Sequence, residues 1–106
     1  MKIYNKLVRD KIPDIIASEG RTCETEIMDD AEYKQALQDK IVEEGEEIRK
    51  SSDEELVTEI ADLYEVIDAL IAVYGLSKEE ILRRQAERRE SRGGFEKKIK
   101  LTKTLD

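Results

Sequence analysis

Apolar residues recur every three or four positions through the middle of the chain, with charged residues between them. This period is typical of an amphipathic helix. It predicts a first long helix that starts at Asp29 or Asp30, either of which can cap it, and runs to about Lys50. The stretch SSDEE then supplies a break, and a second long helix is predicted from Asp53 to about Tyr74. Because the connection is short, we expect the two helices to form an antiparallel hairpin.

Two pairs of residues have the spacing of a capping box, in which a serine is followed three positions later by a glutamate. Ser52 and Glu55 have this spacing at the start of the second long helix. Ser77 and Glu80 repeat it after a glycine, and they predict a third, mostly polar helix that runs through Arg92.

Shorter elements are predicted on both sides of these helices. The stretch RDKIPDIIASEG indicates a brief helix with Pro13 near its first turn and Gly20 as its stop. Residues 22–28 and residues 95–101 alternate weakly between apolar and polar positions, so each is a candidate strand, and the two together are a candidate minor β-ribbon.

The fold class predicted from these elements is all-α, a helical hairpin plus a third helix in a single domain over residues 1–106. The apolar arc of the second long helix is too broad for one neighbouring helix to cover. A second copy of the chain or the third helix would have to cover the rest, and we expect dimerisation to complete the bundle. The residues of this arc that one neighbouring helix cannot cover together are Leu56, Leu63, Ile67, Ile71 and Val73.

Composition restricts the chemistry that the chain can perform. Its net charge of −7 repels nucleic acid polymers and anionic membrane surfaces. The absence of histidine removes the usual general base, and the single cysteine, Cys23, can form neither an internal disulfide nor a thiolate metal cage. No stretch approaches the roughly 20 apolar residues of a membrane span, and the N-terminus lacks the apolar core of a signal peptide. We therefore expect a soluble, cytoplasmic protein.

The first long helix contains KIVEEGEEI, in which four glutamates surround Gly45. Glu44 falls within the apolar stripe of this helix and Glu47 lies at its edge. On the second long helix Glu59 projects within the apolar arc and Asp62 lies at its border. Each pair has i,i+3 spacing and therefore shares one helix face. A hairpin can bring the two pairs together.

Facing carboxylates need compensating cations, because an unpaired ionised carboxylate costs several kcal/mol to bury. Lys40 is the basic residue best placed to serve, and solvated surface glutamates are the ordinary alternative. A hard divalent ion matches an all-oxygen site better, and the lack of histidine favours Mg²⁺, or Mn²⁺, over zinc. Glu44 or Glu47 is the candidate to accept a proton from an attacking water.

The motif KIVEEGEEI followed by TEIADLYEVIDALI resembles the MazG-like, all-α nucleoside triphosphate pyrophosphatase superfamily, to which phosphoribosyl-ATP pyrophosphohydrolases also belong. Its signature is E-x-x-E on one helix and E-x-x-D on the next. The opening YNKLVRDKIPDII and the closing RGGFEKKIKL resemble a small single-domain branch of predicted house-cleaning pyrophosphatases. The residues that match the superfamily signature, together with the glutamate that commonly precedes it, are Glu43, Glu44, Glu47, Glu59 and Asp62.

The resemblance implies a helical homodimer or dimer of dimers in which these five acidic residues bind Mg²⁺. The implied reaction is hydrolysis of the α–β phosphoanhydride of a nucleoside triphosphate, which gives a monophosphate and pyrophosphate. Two other functions stay open: a non-catalytic helical module that binds a metal–nucleotide complex or a basic partner, and a pyrophosphohydrolase of a non-nucleotide phosphorylated metabolite. Basic residues must hold the triphosphate, and the candidates are Lys6, Arg9, Lys11, Arg92, Lys97 and Lys98.

Overall fold

The chain is all-helical in its computed structural model, which describes residues 1–105. Within these residues there are four helices and no strand, so the all-α prediction is confirmed. The chain divides into two compact units: Met1–Gly75 contains the first three helices, and the second unit begins at Leu76. The helices are α1 (Ile12–Ser18), α2 (Asp30–Lys50), α3 (Leu56–Val73) and α4 (Lys78–Arg92).

Side chains cap α2 and α4 as the sequence predicts. The Asp29 carboxylate accepts a hydrogen bond of 2.8 Å from the backbone N–H of Glu32, and the Ser77 hydroxyl accepts one of 3.2 Å from that of Glu80. Each bond satisfies one of the backbone donors that the first turn of a helix leaves without an intrahelical partner. The starts of these two helices are therefore determined locally.

The start of α3 differs from the prediction. Residues 53–55 form a turn, and the helix begins at Leu56 rather than at Asp53. The Ser52 hydroxyl donates to the Glu55 carboxylate at 2.8 Å, and the Ser52 N–H donates to the same oxygen at 3.3 Å. Because this hydroxyl acts as a donor to Glu55, only the glutamate half of the predicted capping box forms.

The helices α2 and α3 pack as an antiparallel hairpin, in agreement with the predicted arrangement. The Gln38 amide in the first half of α2 donates to the Tyr74 hydroxyl beyond the end of α3 at 3.0 Å. The Lys34 ammonium lies 4.9 Å from the centroid of the same ring, a cation–π contact. These contacts connect the first half of α2 to the residue that follows α3.

The core of the hairpin is thin. Within residues 1–105 only Leu37, with 3% of its surface exposed, is buried in the single chain. The side of α3 that faces α2 is half-buried, whereas four apolar side chains spaced three or four residues apart along another side are solvent-exposed. We call these the outer α3 stripe: Val57 (78% exposed), Ile60 (39%), Tyr64 (65%) and Ile67 (36%).

The segments predicted as a minor β-ribbon have no strand in the described chain. Residues 22–28 have no regular secondary structure, and residues 95–97 are a bend and turn followed by irregular chain. The ribbon stays a prediction, as does the single domain over residues 1–106, whose last residue, Asp106, lies outside the described residues. None of the helices in residues 1–105 combines the length and the apolar character that crossing a membrane requires.

Candidate metal centre

Three of the five predicted acidic residues converge where α2 faces α3. One carboxylate oxygen from each of Glu44, Glu59 and Asp62 lies within 4.8 Å of the other two, and all three residues are half-buried. Glu44 comes from α2, whereas Glu59 and Asp62 lie about one turn apart on α3. We call this group the acidic triad. It forms because the hairpin register brings the middle of α2 opposite the first half of α3.

The acidic triad is electrostatically unfavourable without a cation. Partial burial raises the pKa of the Glu44 carboxyl, and the nearby Asp62 carboxylate raises it further, against an opposing effect of Lys40. Partial burial also raises the pKa of Glu59, followed by the charges of Asp62 and Glu47. Both carboxyls therefore hold a proton more readily than usual, and a bound cation would relieve the same repulsion.

These pKa shifts predict how the stability of the metal-free protein depends on pH. Because the folded-state pKa values of Glu44 and Glu59 lie above the ordinary value of 4.5, folding takes up protons in the interval above pH 4.5. Their contribution to the free energy of unfolding should therefore rise as the pH falls from 7 towards 4.5. Urea unfolding in EDTA at a series of pH values measures this free energy of unfolding.

The control for this pH dependence is the double variant Glu44→Gln, Glu59→Gln, in which the rise should be reduced. In saturating Mg²⁺ the wild-type protein should instead lose stability as the pH falls, because metal ligands must be deprotonated. A double variant with the same pH profile as the wild type would show that these two carboxyls are not the cause.

One of the predicted phosphate-binding residues contacts the acidic triad, and a second pairs with the neighbouring Glu43. The Arg9 guanidinium is 2.7 Å from the Asp62 carboxylate, and the Lys6 ammonium is 3.7 Å from that of Glu43. Lys40, the basic residue that the sequence indicated as best placed to compensate the carboxylates, is 3.2 Å from Glu43. The N-terminal segment thus runs beside the acidic faces of the hairpin. No local pattern in the sequence predicts the Arg9–Asp62 pair, because its members are 53 residues apart.

Two predicted metal ligands lie outside the acidic triad. Glu43 is half-buried and pairs with Lys6 and Lys40. Glu47 is exposed, although its charge contributes to the raised pKa of Glu59. Their roles as ligands stay predictions.

The other predicted phosphate-binding residues are not placed at the acidic triad by any contact. Lys11 is exposed and immediately precedes α1. Arg92, Lys97 and Lys98 belong to the second unit. Their predicted part in the site stays a prediction.

The chemistry of the acidic triad fits Mg²⁺. Mg²⁺ binds oxygen at 2.0–2.1 Å, so two oxygens on one ion lie at most about 4 Å apart. The triad oxygens lie within 4.8 Å of one another. Of three oxygens on one octahedral ion at least two pairs are adjacent, about 3 Å apart, so the three side chains would have to move closer together to bind one ion. Mg²⁺ also keeps several waters and shares its coordination with substrate phosphates, so three half-exposed carboxylates leave room for both.

Comparisons of the chain with protein-family models, with curated proteins and with solved structures gave no match.

Proposed function

We propose that the chain is a Mg²⁺-dependent nucleotide pyrophosphohydrolase that resembles the MazG-like superfamily. It converts a canonical or damaged nucleoside triphosphate to the monophosphate and pyrophosphate. The observation that supports this proposal most strongly is the convergence of Glu44, Glu59 and Asp62 from two helices, with their oxygens within 4.8 Å of one another. This is an oxygen-only site of the kind that holds a divalent ion and its bound phosphates.

In this proposal Glu44, Glu59 and Asp62 hold the ion, and Glu47 accepts the proton of the attacking water. A bound Mg²⁺ would neutralise the phosphate charge and assist the departure of pyrophosphate. Glu47 suits proton transfer because it lies outside the acidic triad, and a carboxylate that does not ligate the metal keeps its basicity. It also lies close enough to Glu59 to affect the pKa of that residue.

Arg9 and Lys6 bind the triphosphate in the proposed complex. Both side chains are about half exposed, and their half-buried partners Asp62 and Glu43 are also accessible to solvent. An exposed ion pair contributes at most about 1 kcal/mol, so the two cations can exchange a carboxylate for a phosphate at small cost. Charge-assisted bonds from a guanidinium to phosphate are stronger, and they favour the exchange once substrate arrives.

The proposed active form is a homodimer or a dimer of dimers. Within residues 1–105 a single chain buries only Leu37, and it leaves the outer α3 stripe exposed. Each apolar side chain moved from water into an interface contributes about 1.5–3 kcal/mol. A second copy packed on this stripe would supply the core that the single hairpin lacks.

The direct test is incubation of the purified protein with Mg²⁺ and a panel of nucleoside triphosphates, with pyrophosphate release and product masses as readouts. Release of pyrophosphate and monophosphate supports the proposal. No release from any triphosphate, together with tight binding of a non-hydrolysable analogue, would favour the non-catalytic binding module. Turnover confined to a non-nucleotide phosphorylated metabolite would favour the third function.

Replacing Arg9 with glutamine should change two affinities in opposite directions. The variant removes the guanidinium that pairs with Asp62 at 2.7 Å, so Mg²⁺ alone should bind up to about fivefold more tightly. The same variant loses a charge-assisted bond to phosphate, so a Mg²⁺–triphosphate analogue should bind roughly tenfold more weakly. Titration calorimetry measures both.

Arg21→Gln is the matched control, because it removes the same charge from an arginine that pairs with Glu19. Neither affinity should change in this variant. If Arg9→Gln weakened both affinities together, Arg9 would have a structural role and would not exchange the Asp62 carboxylate for a phosphate.

A further inference from the structure

The first unit contains a cavity of about 320 Å³ that is lined by the N-terminal segment, by Met28 and by one face of α2. Leu7, Met28 and Ala36 are half-buried and supply its apolar surface. The rest of the lining is polar or charged. A volume of about 300 Å³ or more, with a few polar groups on apolar walls, is typical of a small-ligand site. We call this the α2 cavity.

Three carboxylates of α2 line the α2 cavity, those of Glu32, Asp39 and Glu43. Glu43 is engaged by the ammonium groups of Lys6 at 3.7 Å and Lys40 at 3.2 Å. Asp39, by contrast, forms no ion pair with a lysine or arginine among residues 1–105. Its carboxylate is therefore available to a ligand without first losing a cation.

The side chain of Gln35 holds the carboxylate of Asp39, which lies about one turn further along α2. The Gln35 amide nitrogen donates to Oδ1 of Asp39 at 3.0 Å. A carboxylate has about four acceptor positions on its two oxygens, and Gln35 occupies one of them. Asp39 thus keeps an acceptor position on each oxygen, and the pair can bind two adjacent donors of a ligand.

The α2 cavity adjoins the acidic triad along two parts of the chain. Lys6 lines the cavity, and Arg9, three residues later, contacts the triad at 2.7 Å. Glu43 lines the cavity and directly precedes Glu44 of the triad. Asp39 lies five residues before Glu44, which is about 7.5 Å along the helix axis. A ribose bridges a comparable distance between its base and its α-phosphate.

We infer that the α2 cavity binds the guanine base of the triphosphate and that Asp39 selects this base. The two oxygens of Asp39 accept from N1–H and from the N2 amino group of guanine, and Gln35 is the positioning residue. Leu7 and Met28 pack against the ring, as apolar side chains do in proteins that read the Watson–Crick edge of a base. This inference deepens the proposed function and rests on it for the triphosphate that the base carries.

The choice of guanine follows from the donors on its Watson–Crick edge. Guanine carries two donors side by side, N1–H and the N2 amino group. In adenine and cytosine the amino group stands beside a ring nitrogen that only accepts, and in uracil and thymine a single N–H lies between two carbonyl oxygens. The two oxygens of a carboxylate therefore pair fully with guanine, whereas every other base places an acceptor against an acceptor.

Binding to the full-length protein in Mg²⁺ tests the base preference without turnover. The ligands are nucleoside triphosphates in which a methylene group replaces the oxygen between the α- and β-phosphorus atoms. The guanosine analogue should bind roughly tenfold more tightly than the inosine analogue, which lacks only the 2-amino group. The adenosine, cytidine and uridine analogues should also bind more weakly than the guanosine analogue. Titration calorimetry measures each affinity.

Asp39→Asn should change the preference from guanosine to xanthosine. The amide keeps its carbonyl oxygen towards Gln35 and the N1–H of the base, and it presents an N–H donor in place of the second carboxylate oxygen. Xanthine has a carbonyl oxygen where guanine has the 2-amino group. The variant should therefore bind the guanosine analogue roughly tenfold more weakly than the wild type does, and the xanthosine analogue roughly tenfold more tightly. A gain of affinity cannot result from loss of the fold.

Two acid-to-amide variants on the same helix are matched controls. Glu46→Gln lies outside the lining of the α2 cavity, where Glu46 pairs with Arg49. Glu32→Gln lies within the lining. Both variants should keep the preference for guanosine, and circular dichroism establishes that each variant keeps its helices.

Three results would overturn the inference: no preference of the wild type for the guanosine analogue over the inosine analogue, no gain of xanthosine affinity in Asp39→Asn, or a change to xanthosine in Glu32→Gln instead. Failure of the proposed function would be a different result. It would appear as absent pyrophosphate release from guanosine triphosphate by a protein that binds the analogues with the expected preference. Conversely, pyrophosphate release with no difference between the analogues would overturn the inference alone.

Discussion

Replacing Glu44 with glutamine should lower the rate of pyrophosphate release by roughly a hundredfold or more. Glu44 is the one residue that α2 contributes to the acidic triad, so its loss leaves the metal with ligands from α3 only. The isosteric amide also removes the repulsion that raises the pKa of this carboxyl. We therefore expect the metal-free variant to be at least as stable as the wild type, with weaker stabilisation by Mg²⁺. Steady-state kinetics and thermal unfolding with and without Mg²⁺ measure these effects.

Glu46→Gln is the control for this substitution, because Glu46 is an exposed glutamate of the same helix that pairs with Arg49. It should keep full turnover. Asp62→Asn should behave like Glu44→Gln, whereas Glu47→Gln should lose turnover and keep its affinity for Mg²⁺, as expected of a base outside the acidic triad. Full activity of Glu44→Gln in Mg²⁺ would rule out the acidic triad as the catalytic centre.

Placing a glutamate in the outer α3 stripe should dissociate the proposed dimer and unfold much of the hairpin. In a symmetric interface the substituted position occurs twice, and each apolar side chain contributes about 1.5–3 kcal/mol on burial. Tyr64→Glu should therefore raise the dimer dissociation constant more than about a hundredfold. Sedimentation velocity gives the molecular mass, and circular dichroism gives the helix content.

Ile27→Glu is a suitable control, because Ile27 is 97% exposed and lies outside the helices. Its mass and helix content should match those of the wild type. A wild-type protein that is monomeric and fully active at the assay concentration would contradict the proposed assembly, and so would a stable dimer of Tyr64→Glu.

Much of the fold was predictable because its causes are local. The starts of α2 and α4 follow from capping side chains within three residues of the backbone groups they satisfy. The start of α3 was predicted three residues early, because Ser52 and Glu55 have the spacing of a capping box whether the serine hydroxyl accepts or donates. Spacing alone does not distinguish these two geometries.

The sequence predicted that acidic residues of the two long helices meet, but it did not predict which of them do. The i,i+3 spacing of Glu44 and Glu47 places both on one side of α2, yet only Glu44 has an oxygen in the acidic triad. Which of the two approaches Glu59 and Asp62 depends on the rotation of α2 about its axis against α3. That rotation is set by packing over the whole hairpin and not by the motif.

The sequence by itself determined the helices, the starts of α2 and α4 and the helix faces on which acidic and basic residues lie, because these depend on contacts within a few residues. Only the tertiary structure decided which carboxylates meet and that Arg9 reaches Asp62 across 53 residues. Contacts between residues distant in sequence depend on how the helices are rotated against each other and on where the chain turns back. The spacing of residues along the chain determines neither.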